Sequence, residues 1–371
     1  MTEVFFDQAI RRAEELDAEQ AANPNNPLRP LHGLPISLKD SFKIPGYDSV
    51  IGLTCFANKP DDVYSPLAQL LLDLGAVLYC KTNVPQTMMT ADSDNNVFGR
   101  TINPANARVT AGGSSGGEGA LIAMHGSVLG VGTDVAGSIR IPSLCNGIYG
   151  LRTSVGLVPF ADQKDPVAPG TDGILAVAGP MATSLRSCDL FMKALSAAEV
   201  WKYDESCLHL SRWETRLKHT NLRIGIAYND GMYTPWPPVR RGMQEAAAKL
   251  RASGIELVEL AMPDISEAIS VTYRMFSVDG CEVGMIRHVL GQNCTDTSEV
   301  CPGSDQAGRR ARGRVGKAYQ SCKHSRCHLT GLLRIERCEV SVQGCVPKVL
   351  AAESHRCPPV SIRADYRNAT G

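Results

Sequence analysis

The chain has 371 residues, enough for one large α/β domain or for two domains of ordinary size. Its composition is that of a globular protein, and its 38 basic residues balance 38 acidic ones, so no polyanionic partner such as a nucleic acid is indicated. No apolar run reaches the roughly 18 residues of a membrane span, and the first twenty residues lack a signal-peptide pattern. We therefore expect a cytoplasmic protein without an integral membrane segment.

Strands and helices are predicted to alternate along the first 262 residues. Residues 1–20 have the periodicity of an amphipathic helix, and LHGLPISLKD contains a short strand that ends at Lys39. A helix follows over residues 65–74, closed by Gly75, and AVLYCKTNV is the next strand. Another strand, helix and strand are expected between residues 222 and 262. This alternation predicts an α/β fold.

The last eighty residues have a different composition. Residues 292–371 hold 13 Lys+Arg against 7 Asp+Glu, seven of the thirteen cysteines, and no sustained period of a helix or strand. Four possible zinc ligands lie within seven residues: Cys322, His324, Cys327 and His328. A zinc knuckle needs paired ligands separated by a loop, so this spacing does not favour a zinc site. We instead predict a boundary near residue 290, with 291–371 an aberrant Cys/Arg-rich tail that is disordered or a gene-model artefact.

A glycine-rich stretch carries two serine-bearing turns. The first turn, GGSSGGEG, precedes a helix, as phosphate-binding loops do. However, the lysine of a Walker loop is missing, and Glu118 stands where a cation would be needed. A nucleotide-binding function is therefore disfavoured.

The second turn, GTDVAGSIR, places Ser138 after several small residues, where backbone amides can converge on the carbonyl that a serine attacks. His32 and His125 are the only histidines before residue 200, and neither has the context of a catalytic triad. Lys39 is a candidate base, because burial disfavours its charged form. Each residue alone has an ordinary interpretation: a lysine at a strand end is usually solvated, and a serine in such a turn usually caps a helix.

Four motifs together resemble the amidase signature family, especially its fungal general amidases and acetamidases, with fatty acid amide hydrolases as relatives. They are PISLKD, TNVPQTM, GGSSGGEGALI and GTDVAGSIRIP, in this order and with 24 residues from Ser114 to Ser138. The resemblance covers about residues 1–290. It implies an amidase-signature fold, with a mixed β-sheet core covered by α-helices, and hydrolysis of a small-molecule carboxylic amide without a cofactor or a metal.

The resemblance also implies roles for individual residues. Ser138 would be the nucleophile, Ser114 a proton-relaying serine at a cis peptide, and Lys39 the base. The oxyanion hole and substrate site would be formed by backbone groups: those of Val135, Ala136, Gly137 and Ser138, and of Met88 in TNVPQTM. An acyl-enzyme mechanism follows from this Ser-Ser-Lys set.

Three residues are expected to support this set. Asp134 and Arg140 flank Ser138, and we expect them to form an ion pair that holds the loop. Ser115 either hydrogen-bonds to Ser114 or caps the helix that follows, and the sequence leaves both alternatives open.

The sequence departs from the family pattern at both ends, since fungal members are longer. The resemblance therefore implies a truncated chain, with a fold that is incomplete at its C-terminus and an open site. Two functions remain: an amidase, and a catalytically impaired amidase fragment with no enzymatic role. A homodimer is also left open.

Overall fold

The computed structural model describes residues 1–166, 173–208, 213 and 222–276. All of them belong to one compact unit, Met1–Val300. A second unit, Cys301–Gly371, lies outside the described residues, and so do the four possible zinc ligands Cys322, His324, Cys327 and His328. The predicted nature of residues 291–371 therefore stays a prediction.

A mixed six-stranded sheet contains the strand that ends at Lys39. Its strands are β1 (Glu3–Val4), β2 (Pro35–Lys39), β3 (Val77–Thr82), β4 (Leu129–Asp134), β5 (Tyr149–Gly150) and β6 (Val177–Ala182). They lie in the order β1-β3-β2-β4-β6-β5. The three central strands β3, β2 and β4 are parallel, whereas β1, β6 and β5 each run antiparallel to a neighbour. The predicted strands β2 and β3 are confirmed, and the two-residue edge strands were not anticipated because they are too short for a periodic pattern.

Five helices accompany this sheet. They are α1 (Phe6–Ala22), α2 (Pro66–Asp73), α3 (Gly116–Ala123), α4 (Arg140–Asn146) and α5 (Leu185–Ala197). The predicted helix at residues 65–74 is confirmed, and Gly75 follows it with a φ of 92°, a left-handed conformation that favours glycine. Ser184 caps α5, because its side chain accepts a hydrogen bond from the Ser187 N–H.

Strand β2 separates an apolar core from the polar face that carries Lys39. Ile36 and Leu38 are fully buried and belong to a cluster with residues of α2 and α5, such as Leu70 and Phe191. Successive side chains of a strand point to opposite faces, so the side chain of Lys39 lies on the other face. Helix α3 packs there, and the site described below lies between it and the parallel strands.

A smaller parallel sheet lies later in the chain. It pairs β7 (Arg223–Ile226) with β8 (Glu256–Glu259), joined by α6 (Pro237–Ala252), and α7 (Ser266–Phe276) follows. The predicted strand, helix and strand between residues 222 and 262 are thus confirmed. Within the described ranges, no helix has the length and apolar character that a bilayer crossing requires.

Candidate active site

Lys39, the last residue of β2, is fully buried and bound to two hydroxyl groups. Its Nζ lies 2.7 Å from Ser114 Oγ and 2.6 Å from Thr133 Oγ1. Burial lowers the pKa of Lys39 to about 7, although the negative charges of Asp134, Glu118 and Asp40 oppose this shift. A substantial fraction of Lys39 is therefore a neutral amine near neutral pH, the form that can accept a proton.

Ser114 stands in a tightly packed turn between the site and α3. The Gly113–Ser114 peptide bond is cis, as the family resemblance implies. A Cβ atom on Gly113 would lie 2.7 Å from the carbonyl oxygen of Thr90, so this turn has no room for a larger residue. Ser114 itself is 1% exposed, and its hydroxyl faces Lys39.

Ser138 follows β4 and is brought to the same turn by a backbone contact. The N–H of Ser115 donates to the carbonyl oxygen of Ser138 over 3.1 Å, which joins the two serine-bearing turns directly. Ser138 is half-buried, and its hydroxyl makes no hydrogen bond to any described residue. Lys39 therefore contacts Ser114 directly. The Ser138 hydroxyl is left available to a ligand.

The Ser115 side chain takes neither of the two roles considered from sequence. Ser115 is the residue before α3, but its side chain makes no capping hydrogen bond. Instead, its Oγ lies 3.3 Å from both the carbonyl oxygen and the backbone N–H of Thr133 in β4. This pairing holds the Ser114 turn against the strand that delivers Thr133 to Lys39.

Asp134 organises the loop that carries Ser138. Its buried carboxylate accepts hydrogen bonds from the N–H groups of Gly137 and Ile139, at 2.8 and 3.1 Å. Arg140 donates to it through Nε and Nη2, each over 3.0 Å, which confirms the predicted ion pair. Burial would raise the pKa of Asp134, but these hydrogen bonds outweigh it and hold that pKa below its ordinary value.

The four backbone amides assigned to the oxyanion hole are not equivalent. The Gly137 N–H already donates to Asp134. Outside the helices and strands, no hydrogen bond to a described group engages the N–H of Val135, Ala136 or Ser138. These three are therefore the donors that this conformation leaves available to a developing oxyanion.

Met88 lies in a constrained loop beside the Ser114 turn. It ends a short 3₁₀ segment, Gln86–Met88, and both it and Thr87 have positive φ angles, 59° and 61°. Positive φ is uncommon for residues other than glycine. Two residues further on, the loop packs against Gly113 through the Thr90 carbonyl. This places Met88 near the site, as expected, and its substrate contact stays a prediction.

Two residues that the fold brings to Lys39 could not be assigned to the site from the sequence. Thr133 contacts it directly, and Glu118 acts on it electrostatically from α3. Both stand inside the motifs that identify the serines, but local pattern cannot tell which side chains of a strand or helix point inward together. Only the pairing of β2 with β4 and the docking of α3 decide this.

The mixed sheet, with its glycine-rich serine turns beside the parallel strands, is an amidase-signature fold. A model of the Amidase family matches residues 1–314, and the chain therefore belongs to this family.

Curated relatives and a solved structure agree with this assignment. An amidase of Gibberella moniliformis is 39% identical over 280 residues, covering 75% of this chain and 52% of the relative. An acetamidase of Emericella nidulans is 42% identical over 260 residues, covering 68% of this chain and 47% of the relative. A solved structure of fatty acid amide hydrolase superimposes with a TM-score of 0.74 at 29% identity, covering 87% of this chain and 59% of that one. The chain spans about half the length of the curated relatives it matches.

Proposed function

We propose that this chain hydrolyses carboxylic acid amides to the acid plus ammonia or an amine, through an acyl-enzyme formed on Ser138. The observation that carries the proposal is the buried Lys39, bound at 2.7 Å to the hydroxyl of Ser114. Membership of the Amidase family and the acetamidase name of one relative support the reaction class. The catalytic domain we assign to residues 1–290.

Each step has a residue to carry it. Neutral Lys39 takes the proton of Ser114 Oγ while Ser114 Oγ takes that of Ser138, and Ser138 Oγ attacks the amide carbon. The free backbone N–H groups of Val135 and Ala136 then stabilise the negative charge on the former carbonyl oxygen. Ser114 returns a proton to the leaving nitrogen, and Lys39 resupplies Ser114. Water cleaves the acyl-enzyme by the same relay in reverse.

The partner and compartment follow from the same proposal. We expect a small-molecule amide whose carbonyl enters between Ser138 and the Met88 loop. A reducing compartment such as the cytoplasm is supported by free cysteines at four described positions: Cys80, Cys145, Cys188 and Cys207. A homodimer stays a prediction.

A fluorophosphonate probe tests the nucleophile, because such probes react with activated serines. We expect labelling of the full chain, complete loss of labelling in Ser138→Ala, and loss of about a hundredfold or more in rate in Lys39→Met, as for removal of a general base. Ser154→Ala is the matched control, since Ser154 is exposed, and it should label normally. Folded wild-type protein that fails to label would contradict the proposal and favour the impaired fragment.

A further inference from the structure

Glu118 is a fully buried carboxyl group inside the fold, beyond the residues assigned to the reaction. It is the third residue of α3, and it accepts hydrogen bonds from Ser37 Oγ over 2.6 Å and from Thr82 Oγ1 over 2.8 Å. A Cβ atom on Gly130 would lie 2.0 Å from its Oε2, so only glycine leaves room for the carboxyl group against β4. Glu118 therefore rests directly on three neighbouring strands, β2, β3 and β4.

The two hydroxyls that hold Glu118 place it beside Lys39. Ser37 lies two residues before Lys39 in β2, so both side chains are on the same face, about 7 Å apart along the strand. Thr82 is the register partner of Lys39 in β3. The carboxyl group and the amine thus share one buried face of the sheet, where charges interact strongly because water is excluded.

Two other carboxylates act on Lys39, and each has a basic neighbour of its own. Asp134 pairs with Arg140 through two hydrogen bonds. Asp40 follows β2 directly, accepts a hydrogen bond from the Ile51 N–H, and acts electrostatically on Lys81. Their charges are therefore already partly balanced without Lys39.

Glu118, in contrast, has no basic side chain beside it among the described residues. In the described part of the chain, no lysine or arginine lies within ion-pair distance of it, and its side-chain contacts are hydroxyls. From β3, Tyr79 and Cys80 also interact electrostatically with Glu118, but burial raises the pKa of both groups, so they stay neutral near pH 7. The amino group of Met1 and Lys39 are the cations that act on Glu118, both without direct contact.

We propose that Glu118 is a positioning residue that acts through Lys39, its carboxylate balancing the ammonium that forms when Lys39 accepts the Ser114 proton. The inference rests on the function proposed above. Burial raises the pKa of Glu118 to about 7, against the hydrogen bonds from Ser37 and Thr82 and the charge of Lys39, so Glu118 is a carboxylate above that pH. There no bond to Glu118 forms or breaks, and the proton moves from Ser114 Oγ to Lys39 Nζ and later returns. Removing this charge makes Lys39 a weaker base.

The test compares Glu118→Gln with wild type in the full chain, through the pH dependence of fluorophosphonate labelling at Ser138. The amide can donate to Thr82 Oγ1, whose own proton can turn to the Leu38 carbonyl 3.4 Å away, so the substitution is sterically matched. We expect the acidic limb of the profile to move down by about one pH unit or more, the order expected for a lost buried charge. The rate above the limb should fall about threefold to tenfold, since general-base efficiency follows base strength.

Ser127→Ala is the matched control, because Ser127 lies at the far end of the same hydroxyl network, 2.8 Å from Ser37 Oγ, and carries no charge. It should leave the acidic limb in place. A folded Glu118→Gln protein with an unmoved or raised limb would overturn the proposal and leave Glu118 as a group that only clamps the strands. If Glu118→Gln does not fold, Thr82→Val, which removes one hydrogen bond that favours the carboxylate, should shift the limb the same way by less. An unmoved limb in Thr82→Val would also overturn it.

A second readout separates this inference from the proposed function. The ε-carbon of Lys39 can be titrated by NMR in protein labelled with ¹³C-lysine, with the signal assigned by its loss in Lys39→Met. A lower pKa of Lys39 in Glu118→Gln supports the electrostatic link even if wild type fails to label. If the pKa of Lys39 is unchanged in Glu118→Gln while wild type is labelled, the electrostatic link between Glu118 and Lys39 is contradicted and the proposed amidase function is still supported.

Discussion

Replacing Lys39 with methionine should make the native protein more stable in a pH-dependent way. Methionine has a similar length but no amine, so it suits a site that is fully buried. The substitution also removes the hydrogen bonds to Ser114 and Thr133, which changes stability by an amount that does not vary with pH in this range. The pH dependence therefore isolates the protonation of Lys39.

The magnitude follows from proton linkage. The pKa of Lys39 falls from 10.5 to about 7 on folding. Between these values the unfolded chain binds more protons than the native protein, so the free energy of unfolding rises with pH. At about 1.36 kcal/mol per pKa unit, protonation of the unfolded lysine destabilises the native protein by about 3 kcal/mol near pH 8 and about 1 kcal/mol near pH 10.

Urea unfolding of wild type and Lys39→Met near these two pH values tests the reasoning. The difference between their free energies of unfolding should change by about 2 kcal/mol, with wild type gaining at the higher pH. Burial also lowers the pKa of Lys81, but Lys81 is present in both proteins, so its contribution cancels in the difference. A difference that does not change with pH would mean that native Lys39 keeps its ordinary pKa, and the base assigned to the relay would then be charged at neutral pH.

Two further substitutions test the surroundings of the site. Gly130→Ala should destabilise the protein by about 1–3 kcal/mol in urea unfolding, because its new methyl group would lie 2.0 Å from the Glu118 carboxyl. Its control is Gly242→Ala, in an open position of α6, which should stabilise the protein by about 0.5–1 kcal/mol. Equal effects of the two substitutions would argue against the tight contact at Gly130. Arg140→Gln should lower stability by about 1–2 kcal/mol near pH 7, a modest value because Arg140 is half-exposed. Since the folded-state pKa of Asp134 is lowered, its stabilising contribution is present above 3.8 and is lost as the pH falls through that lower pKa. The gap between wild type and Arg140→Gln should therefore narrow below about pH 4, and a constant gap would contradict the charge-based role of the pair.

Much of the site was predictable because its residues stand at a strand end and in glycine-rich turns, which are recognisable in the sequence. Lys39 ends an alternating strand, and Ser114 and Ser138 stand in glycine-rich turns at a spacing that resembles the family. Such signals are local and can be recognised in a single sequence, since glycines permit turn conformations and strand ends follow a visible alternation. The ion pair of Asp134 and Arg140 was likewise expected from proximity along the chain.

Other features could not be read from the chain because they depend on contacts between distant segments. Thr133 reaches Lys39 across 94 positions, and Ser37 reaches Glu118 across 81. The Ser115 hydroxyl pairs with the Thr133 backbone, not with the neighbours that its position suggests. The Gly137 N–H is taken by Asp134, which local sequence could not distinguish from the amides on either side.

The amino-acid sequence by itself determined the alternation of strands and helices, the two serine turns and the likeness to amidases, because these follow from local conformational preferences and motif order. Tertiary structure alone decided that Lys39 is buried, that its pKa falls to about 7, and that Glu118 lies on the same buried face. Desolvation and charge interaction are properties of a packed environment, and that environment exists only once β2, β3, β4 and α3 have come together.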